Sequence, residues 1–265
     1  MPGRKLVVVR HGERVDFTFG DIWMDKCFAN GGTYRKHNMN MPDVIVKREG
    51  LPKTFHKDCP VTQVGFLQGK LVGKGLLQED ILRPGFEVYV SPALRSIQTA
   101  IALLKGMKLP DTVLKVEPCL FEWTGWYGDG MPTWINNDEL VANGFNIDVN
   151  YAPFSKAGTL EVNESVDKYF NRTYDFVKKA LDSSGNDILL VAHGSTLDVA
   201  TRQLLGFPPR SVEDMLRVLH NVPYAGVAIA EQSEVNKTWS VSKPGAMTMR
   251  HSSVTDFDAS KTFAC

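Results

Sequence analysis

The chain has little cysteine, no surplus of either charge and no long hydrophobic run, and each shortage removes a class of function. Its four cysteines, Cys27, Cys59, Cys119 and Cys265, show no paired spacing and read as reduced thiols in a reducing compartment rather than a disulfide framework. None precedes an arginine at the spacing that a cysteine-dependent phosphatase loop needs. Lys plus Arg number 30 and Asp plus Glu number 30, so the formal net charge is zero. No global field therefore draws nucleic acid or an anionic membrane, and any positive potential must be local. The first apolar run, Leu6-Val7-Val8-Val9, is shorter than a secretory h-region of roughly 7–15 residues and far short of a membrane span. The six histidines contain no His-x-His or His-Glu-x-x-His arrangement, so neither a metal nor another cofactor is expected. No Asp-x-Asp pair ends a strand-like run, which argues against an aspartyl-phosphate mechanism. The sequons at Asn163, Asn171 and Asn236 mean nothing without secretion, and the chain reads as cytoplasmic.

What the chain does have is a charged motif at the end of a buried strand. Leu6-Val7-Val8-Val9 runs directly into Arg10-His11-Gly12-Glu13-Arg14. The pattern recurs twice. Phe86-Glu87-Val88-Tyr89-Val90 ends in Ser91-Pro92-Ala93-Leu94-Arg95, and Ile188-Leu189-Leu190-Val191-Ala192 ends in His193-Gly194-Ser195-Thr196. Short β-branched runs followed by helix-forming sequence are how strands buried on both faces of a parallel sheet read. Ligands of such sheets sit beyond the carboxyl ends of the strands. Arg10, His11, Arg14, Arg95 and His193 are thus expected around one concave site. Guanidinium forks suit phosphate oxygens, and an imidazole among them suits attack on a phosphoryl group. Neighbouring arginines should also lower the pKa of both histidines.

Between these strand ends the periodicity predicts a helix from Thr62, with Val64, Leu67, Leu71 and Leu76 on its apolar face, and a second from Pro92 to Leu104. A long amphipathic helix is expected over 161–181, another from Ser195 to Leu205, and one capped by Ser211 through Leu219. Tyr224 to Ala230 and Lys237 to Val241 read as terminal strands. The segment 15–60 lacks sustained periodicity. The segment 119–154 concentrates Phe121, Trp123, Trp126, Tyr127, Trp134, Phe145 and Tyr151 among Gly and Pro. Both read as inserted caps on one domain spanning 1–265. Trp126 or Tyr127 is expected to face the pocket, as a wall for a bulky apolar leaving group. His37, His56, His220 and His251 are left as ordinary surface or core residues.

The ordered set of motifs resembles the histidine phosphatase superfamily, also called phosphoglycerate mutase-like. The likeness is greatest to the phosphatase domain of the suppressor of T-cell receptor signalling proteins and to ecdysteroid-phosphate phosphatases. Arg10-His11-Gly12 matches the superfamily's hallmark. The stretches Arg10 to Asp16, Asn38 to Pro42, Ser91 to Ala100, Leu120 to Trp126, Leu189 to His193 and Val222 to Gly226 carry the rest. The last twenty residues fall outside the likeness. The resemblance implies a three-layer α/β/α fold with a mostly parallel central sheet. It implies His11 as the nucleophile that becomes phosphohistidine, Arg10, Arg14, Arg95 and His193 as phosphate ligands, and Glu122 as proton donor to the leaving group. Gly12 would admit a close backbone approach, and its carbonyl would fix the His11 tautomer. The apolar neighbours Phe121 and Trp123 should raise the Glu122 pKa.

The expected activity is phosphomonoester hydrolysis, with a phosphotyrosyl protein or a phosphorylated small molecule such as a steroid phosphate as substrate, and with a homodimer implied by the resemblance. A phosphoglycerate-type mutase is the alternative, disfavoured because Val15-Asp16-Phe17-Thr18-Phe19 replaces the polar stretch of the mutases. A non-catalytic phosphoprotein-binding scaffold is the third reading, disfavoured because every expected catalytic residue type is in place. Relatives carry ubiquitin-binding and SH3 modules. The chain is therefore expected to be either a stand-alone enzyme or a domain whose modules lie outside it.

Overall fold

The structure, a computed structural model, describes residues 3–29, 32–242 and 263. In chain order its elements are β1 (Lys5–Arg10), α1 (Val15–Phe19), α2 (Trp23–Cys27), α3 (Gln63–Gln78), β2 (Glu87–Val90), α4 (Leu94–Gly106), β3 (Lys115–Val116) and α5 (Asn137–Ala142). There follow α6 (Val166–Ser183), β4 (Ile188–Ala192), α7 (Thr196–Arg202), α8 (Val212–His220), β5 (Val227–Gln232) and β6 (Trp239–Ser242). His251, Cys265 and most of the last twenty residues lie outside the described residues.

One six-stranded sheet, ordered β3-β2-β4-β1-β5-β6, forms the middle layer. The first four strands run parallel, and β5 and β6 are antiparallel additions at one edge. The expected three-layer, mostly parallel architecture holds. Alternate side chains explain the layers. Val7, Val9, Val88, Val90, Leu189 and Val191 enter a core with residues of α3 and α4. Leu6, Val8, Tyr89, Leu190 and Ala192 enter the opposite core with residues of α6, α7 and α8.

Register brings the three strand ends level. Arg10 pairs with Ala192 and Val90 with Val191. The ladder runs one residue further, since the amide of His11 donates to Ala192 O at 2.8 Å and that of Ser91 to Val191 O at 3.1 Å. His11, Ser91 and His193 are therefore neighbours by backbone geometry alone.

Helix α3 corrects the expected face. Val64, Leu67 and Leu71 are exposed, and only Leu76 of the expected set is buried. The buried face carries Gly65, Gly69 and Gly73 and packs on α4. A Cβ at Gly73 would stand 1.9 Å from Leu103 O. Close helix approach, rather than a stripe of large side chains, sets this face, and a hydrophobicity count does not register glycine.

Other boundaries moved inward. Helix α6 begins at Val166 because Ser165 caps it, accepting from the amide of Lys168 at 3.2 Å, so Val162 stays outside. Strand β5 begins at Val227 because Ala225 sits at φ 55. The two expected caps are more built than their sequence implies. Trp23, Phe28, Met41 and Phe55 from one, and Ile135, Leu140 and Ile147 from the other, all join the core on the α3–α4 side. They also clasp each other: the Asn143 side chain accepts from the amide of Lys47 at 2.8 Å and donates to Lys47 O at 2.7 Å.

Candidate active site

Apart from Glu122, each charged or titratable group of the site is held at a strand end or at the start of a helix. Gly12 lets β1 turn away under α3, because a Cβ there would lie 2.3 Å from Gly65 O. The amide of Gly12 donates to Thr99 Oγ1 at 2.9 Å, and the same hydroxyl donates to Arg95 O at 2.7 Å. One threonine thus ties the His11 loop to the first turn of α4. The amide of Leu94 donates to the buried carboxylate of Asp58 at 2.8 Å, which pins the start of that helix. Asn40, from the matched stretch Asn38 to Pro42, donates to Glu13 and accepts from the amide of Val64, at 2.8 and 2.9 Å.

The structure brings His11, Arg95, Glu122 and His193 into one buried cluster. The imidazoles of His11 and His193 stand edge-on, with ring centroids 5.5 Å apart at 73°. Nδ1 of His11 lies 2.8 Å from Gly12 O. A carbonyl only accepts, so Nδ1 carries the proton and Nε2 keeps its lone pair. Burial, then the charges of Arg95 and Arg10, push the His11 pKa well below 6.5.

His193 is held at both nitrogens. Its Nε2 lies 2.8 Å from Ser91 Oγ, and its Nδ1 lies 3.2 Å from Nη2 of Arg95 and 3.5 Å from Oε2 of Glu122. A guanidinium only donates, so the neutral ring donates from Nε2 to Ser91 and accepts at Nδ1. Burial and the arginines push this pKa well below 6.5 as well. His193 at rest is consequently an acceptor at Nδ1, in keeping with the lowered pKa expected of it, and the phosphate-donor role belongs to the state with the dianion bound. An anion that draws Arg95 away and favours protonation would restore the donor.

Glu122 brings a correction. Its Oε1 accepts from Nη2 of Arg95 and from the Tyr127 hydroxyl, the latter at 2.6 Å. Burial pushes its pKa up, but Arg95, Arg14 and Tyr127 outweigh burial and the net direction is downward. Phe121 packs on Tyr127 and Trp134 and makes no apolar wall that overrides these charges. At rest Glu122 is a carboxylate.

Arg10 and Arg14 flank the cluster. Arg10 donates to Val222 O and its guanidinium carbon lies 4.5 Å above the Tyr224 ring. Arg14 is engaged with Asp16 through two hydrogen bonds of 2.7 and 2.5 Å and lies 4.0 Å from the Phe17 ring centroid. Nε and Nη1 of Arg95 and Nε of Arg10 are buried and make no hydrogen bond among the described residues. Buried donors of this kind normally find partners, so these three mark where an anion fits.

A cavity of about 580 Å³ opens in front of the cluster. His11, Arg10, Arg14 and Glu122 line its floor, and Phe17, Trp126, Tyr127 and Leu219 line its walls. Both Trp126 and Tyr127 reach it. His56 and His220 line it too, although the sequence offered no motif that singled them out. Ser91 was equally passed over, yet its position one residue beyond a strand end matches those of His11 and His193. Among the described residues no group of three or more His, Cys, Asp or Glu is placed to hold a metal. No helix among them is long and apolar enough to cross a membrane.

The model of the histidine phosphatase superfamily (branch 1) matches residues 46–241, a range that holds Arg95, Glu122 and His193 and begins after His11. The chain is 38% identical over 252 residues to the ecdysteroid-phosphate phosphatase of Drosophila melanogaster, covering 94% of this chain and 33% of that protein. It is 37% identical over 264 residues to the human (Homo sapiens) ubiquitin-associated and SH3 domain-containing protein B, covering 98% of this chain and 40% of that protein. It therefore spans between a third and two fifths of the length of these relatives. The crystal structure of the ecdysone phosphate phosphatase of Bombyx mori, in complex with tungstate, superposes with a TM-score of 0.83 at 30% identity, covering 96% and 98% of the two chains.

Proposed function

The chain belongs to the histidine phosphatase superfamily, and on that premise we propose that it is a phosphomonoesterase that works through a phosphohistidine on His11. The observation that carries this reading is the set of buried, unpartnered guanidinium nitrogens on Arg95 and Arg10 beside an imidazole locked with its Nε2 lone pair free. The Bombyx relative's complex with tungstate, a tetrahedral oxyanion, is consistent with it.

In this reading a phosphate dianion sits among Arg10, Arg95 and His193, with Arg14 beside them. Charge-assisted hydrogen bonds of this kind contribute roughly 1.5–3 kcal/mol each. Nε2 of His11 attacks phosphorus, the P–O bond to the leaving group breaks, and that oxygen takes the proton of Glu122. Glu122 gains its proton only in the complex. The dianion shares the positive charge of Arg95 and adds negative charge nearby, and both effects raise the carboxyl pKa. Water then attacks phosphorus of the phosphohistidine, Glu122 takes up a proton from that water, the P–N bond breaks with its electron pair returning to Nε2 of His11, and phosphate leaves.

The cavity walls of Phe17, Trp126, Tyr127 and Leu219 suit a large apolar or aromatic leaving group. Phosphotyrosine and steroid phosphates both qualify, the latter in line with the names of the insect relatives. A single domain, a homodimer and a cytoplasmic setting belong to the same reading, and sedimentation mass checks the dimer. The testing experiment is a panel of a phosphotyrosyl peptide, a phosphoseryl peptide, a steroid phosphate and phosphoglycerates, with an acid- and base-quench of the labelled enzyme. Turnover of the aryl and steroid esters through an acid-labile, base-stable phosphoenzyme, both lost in His11→Ala, is expected. Full turnover in His11→Ala, or loss of activity on chelation, contradicts the proposal.

A further inference from the structure

Glu122 sits in a stretch with no regular helix or strand, only short 3-10 turns at Pro118–Leu120 and Thr124–Trp126. A proton donor on such a segment needs its backbone held from outside. The hold comes from α6, in a residue to which no motif of the sequence pointed. Arg172 sends Nη1 to Cys119 O at 2.7 Å and Nη2 to Glu122 O at 3.0 Å. Its other hydrogen bonds go to Glu164, from Nε at 2.8 Å and from Nη2 at 2.7 Å. The side chain of Glu164 is almost wholly buried, and its Oε1 also accepts from the amide of Thr124 at 3.1 Å, on the far side of Glu122. The carbonyl of Glu164 accepts from Nε1 of Trp123 at 2.8 Å. The Arg172 guanidinium lies 4.7 Å from the Tyr169 ring centroid, and the Tyr169 hydroxyl lies 2.8 Å from Ser195 Oγ, two residues beyond His193.

We propose that the Arg172–Glu164 pair is the positioning device for the proton donor: it grips the backbone on both sides of Glu122 and fixes the carboxyl against the leaving-group oxygen. The inference rests on the phosphomonoesterase reading and assigns Arg172 and Glu164 no contact with substrate. The planar fork is essential, because one guanidinium bridges two carbonyls and a carboxylate at once. An ammonium has the charge but not the geometry.

Leaving-group dependence separates this role from general support of the fold. A leaving dinitrophenolate departs without a proton, whereas a leaving phenolate needs one. Turnover of phenyl phosphate and dinitrophenyl phosphate is measured for wild type, Arg172→Lys, Glu164→Gln and Glu122→Gln, together with tungstate affinity. Arg172→Lys is expected to lower kcat on phenyl phosphate by roughly 30- to 300-fold, part of the roughly 10²–10⁴-fold that a general acid contributes. Its loss on the dinitrophenyl ester should stay below about fivefold, with tungstate affinity kept. Glu164→Gln, which retains the shape and an acceptor for Thr124, should show the same split at smaller size and serves if the lysine variant fails to fold. Glu122→Gln should show it at full size. Equal losses on both esters, or loss of tungstate binding in step with activity, overturn the positioning role. A wild type inert toward both esters overturns the phosphatase reading and this role with it.

Discussion

The ring of His193 stands edge-on to that of His11 at a centroid distance of 5.5 Å, both fully enclosed beside Arg95 and Arg10. Neither imidazole can take a proton cheaply in the native state, so both pKa values lie well below 6.5. The unfolded chain binds those protons near its ordinary value of about 6.5. Below that pH the unfolded state therefore carries more protons than the native one, and stability falls as pH drops toward the lowered native values. The slope is up to about 1.4 kcal/mol per pH unit for each histidine. Urea unfolding at about pH 6.5 and 5.5 should show the fall, and His193→Gln should lose about 1 kcal/mol less over the same interval. Parallel pH slopes in the two proteins would contradict neutral burial of His193.

Arg95 separates charge from geometry. Its Nε and Nη1 are buried with no hydrogen-bond partner among the described residues, free for the proposed anion, while Nη2 holds Glu122 and meets His193. Arg95→Ala removes at least two charge-assisted contacts, about 3–6 kcal/mol in sum, so kcat/KM should fall by roughly 10²–10⁴. Arg95→Lys restores the charge without the fork and should recover only a minor part. Titration with vanadate should rank the three proteins in the same order, and equal vanadate affinity in wild type and Arg95→Ala would remove Arg95 from the anion site.

The parts of this site that were legible in the sequence are those where strand and chemistry adjoin. Arg10-His11-Gly12, Arg95 and His193 each follow a short β-branched run, and the parallel register then forces them together. Glu122 was legible only through family likeness, because nothing local distinguishes it from a loop carboxylate. Its charge state was misread from Phe121 and Trp123, since sequence neighbours in an irregular segment do not report the spatial neighbours Arg95 and Tyr127. The α3 face was misread because Gly65, Gly69 and Gly73 bury backbone rather than hydrophobic side chains. Arg172 and Ser91 escaped notice because their roles lie in hydrogen bonds to distant backbone and ring atoms.

Leaving-group size should be read by the cavity mouth. Phe17 is 69% exposed and Trp126 40% exposed, yet both line the cavity. Large exposed rings at a pocket rim point to contact with the ligand rather than to a fold requirement. Trp126→Ala and Phe17→Ala should lower kcat/KM for bulky aryl or steroid phosphates by about tenfold each, while a small alkyl phosphate loses little. Thermal stability should barely change. Unchanged turnover of the bulky esters in the double variant would refute the role of these rings.

Gly12 couples the fold to the nucleophile, so one methyl group tests both. A Cβ there would meet Gly65 O at 2.3 Å, Gly65 C at 2.8 Å and Gly65 Cα at 2.9 Å, all backbone atoms of α3 that cannot swing aside. Relief requires β1 to draw back from α3 or the peptide after His11 to shift. Overpacking at a rigid site costs about 1–3 kcal/mol, so Gly12→Ala should lower the unfolding free energy by that amount. The carbonyl that accepts from Nδ1 of His11 belongs to the same residue. Any shift frees the imidazole to place its proton on Nε2, where it blocks attack. Activity at a temperature where the variant is still fully folded should therefore fall by 10² or more, a loss larger than the destabilisation alone explains. Gly185→Ala, at a position where a Cβ meets nothing within 4 Å, should leave both quantities unchanged. A Gly12→Ala protein with native kcat below its unfolding transition would show that the carbonyl does not set the tautomer of His11.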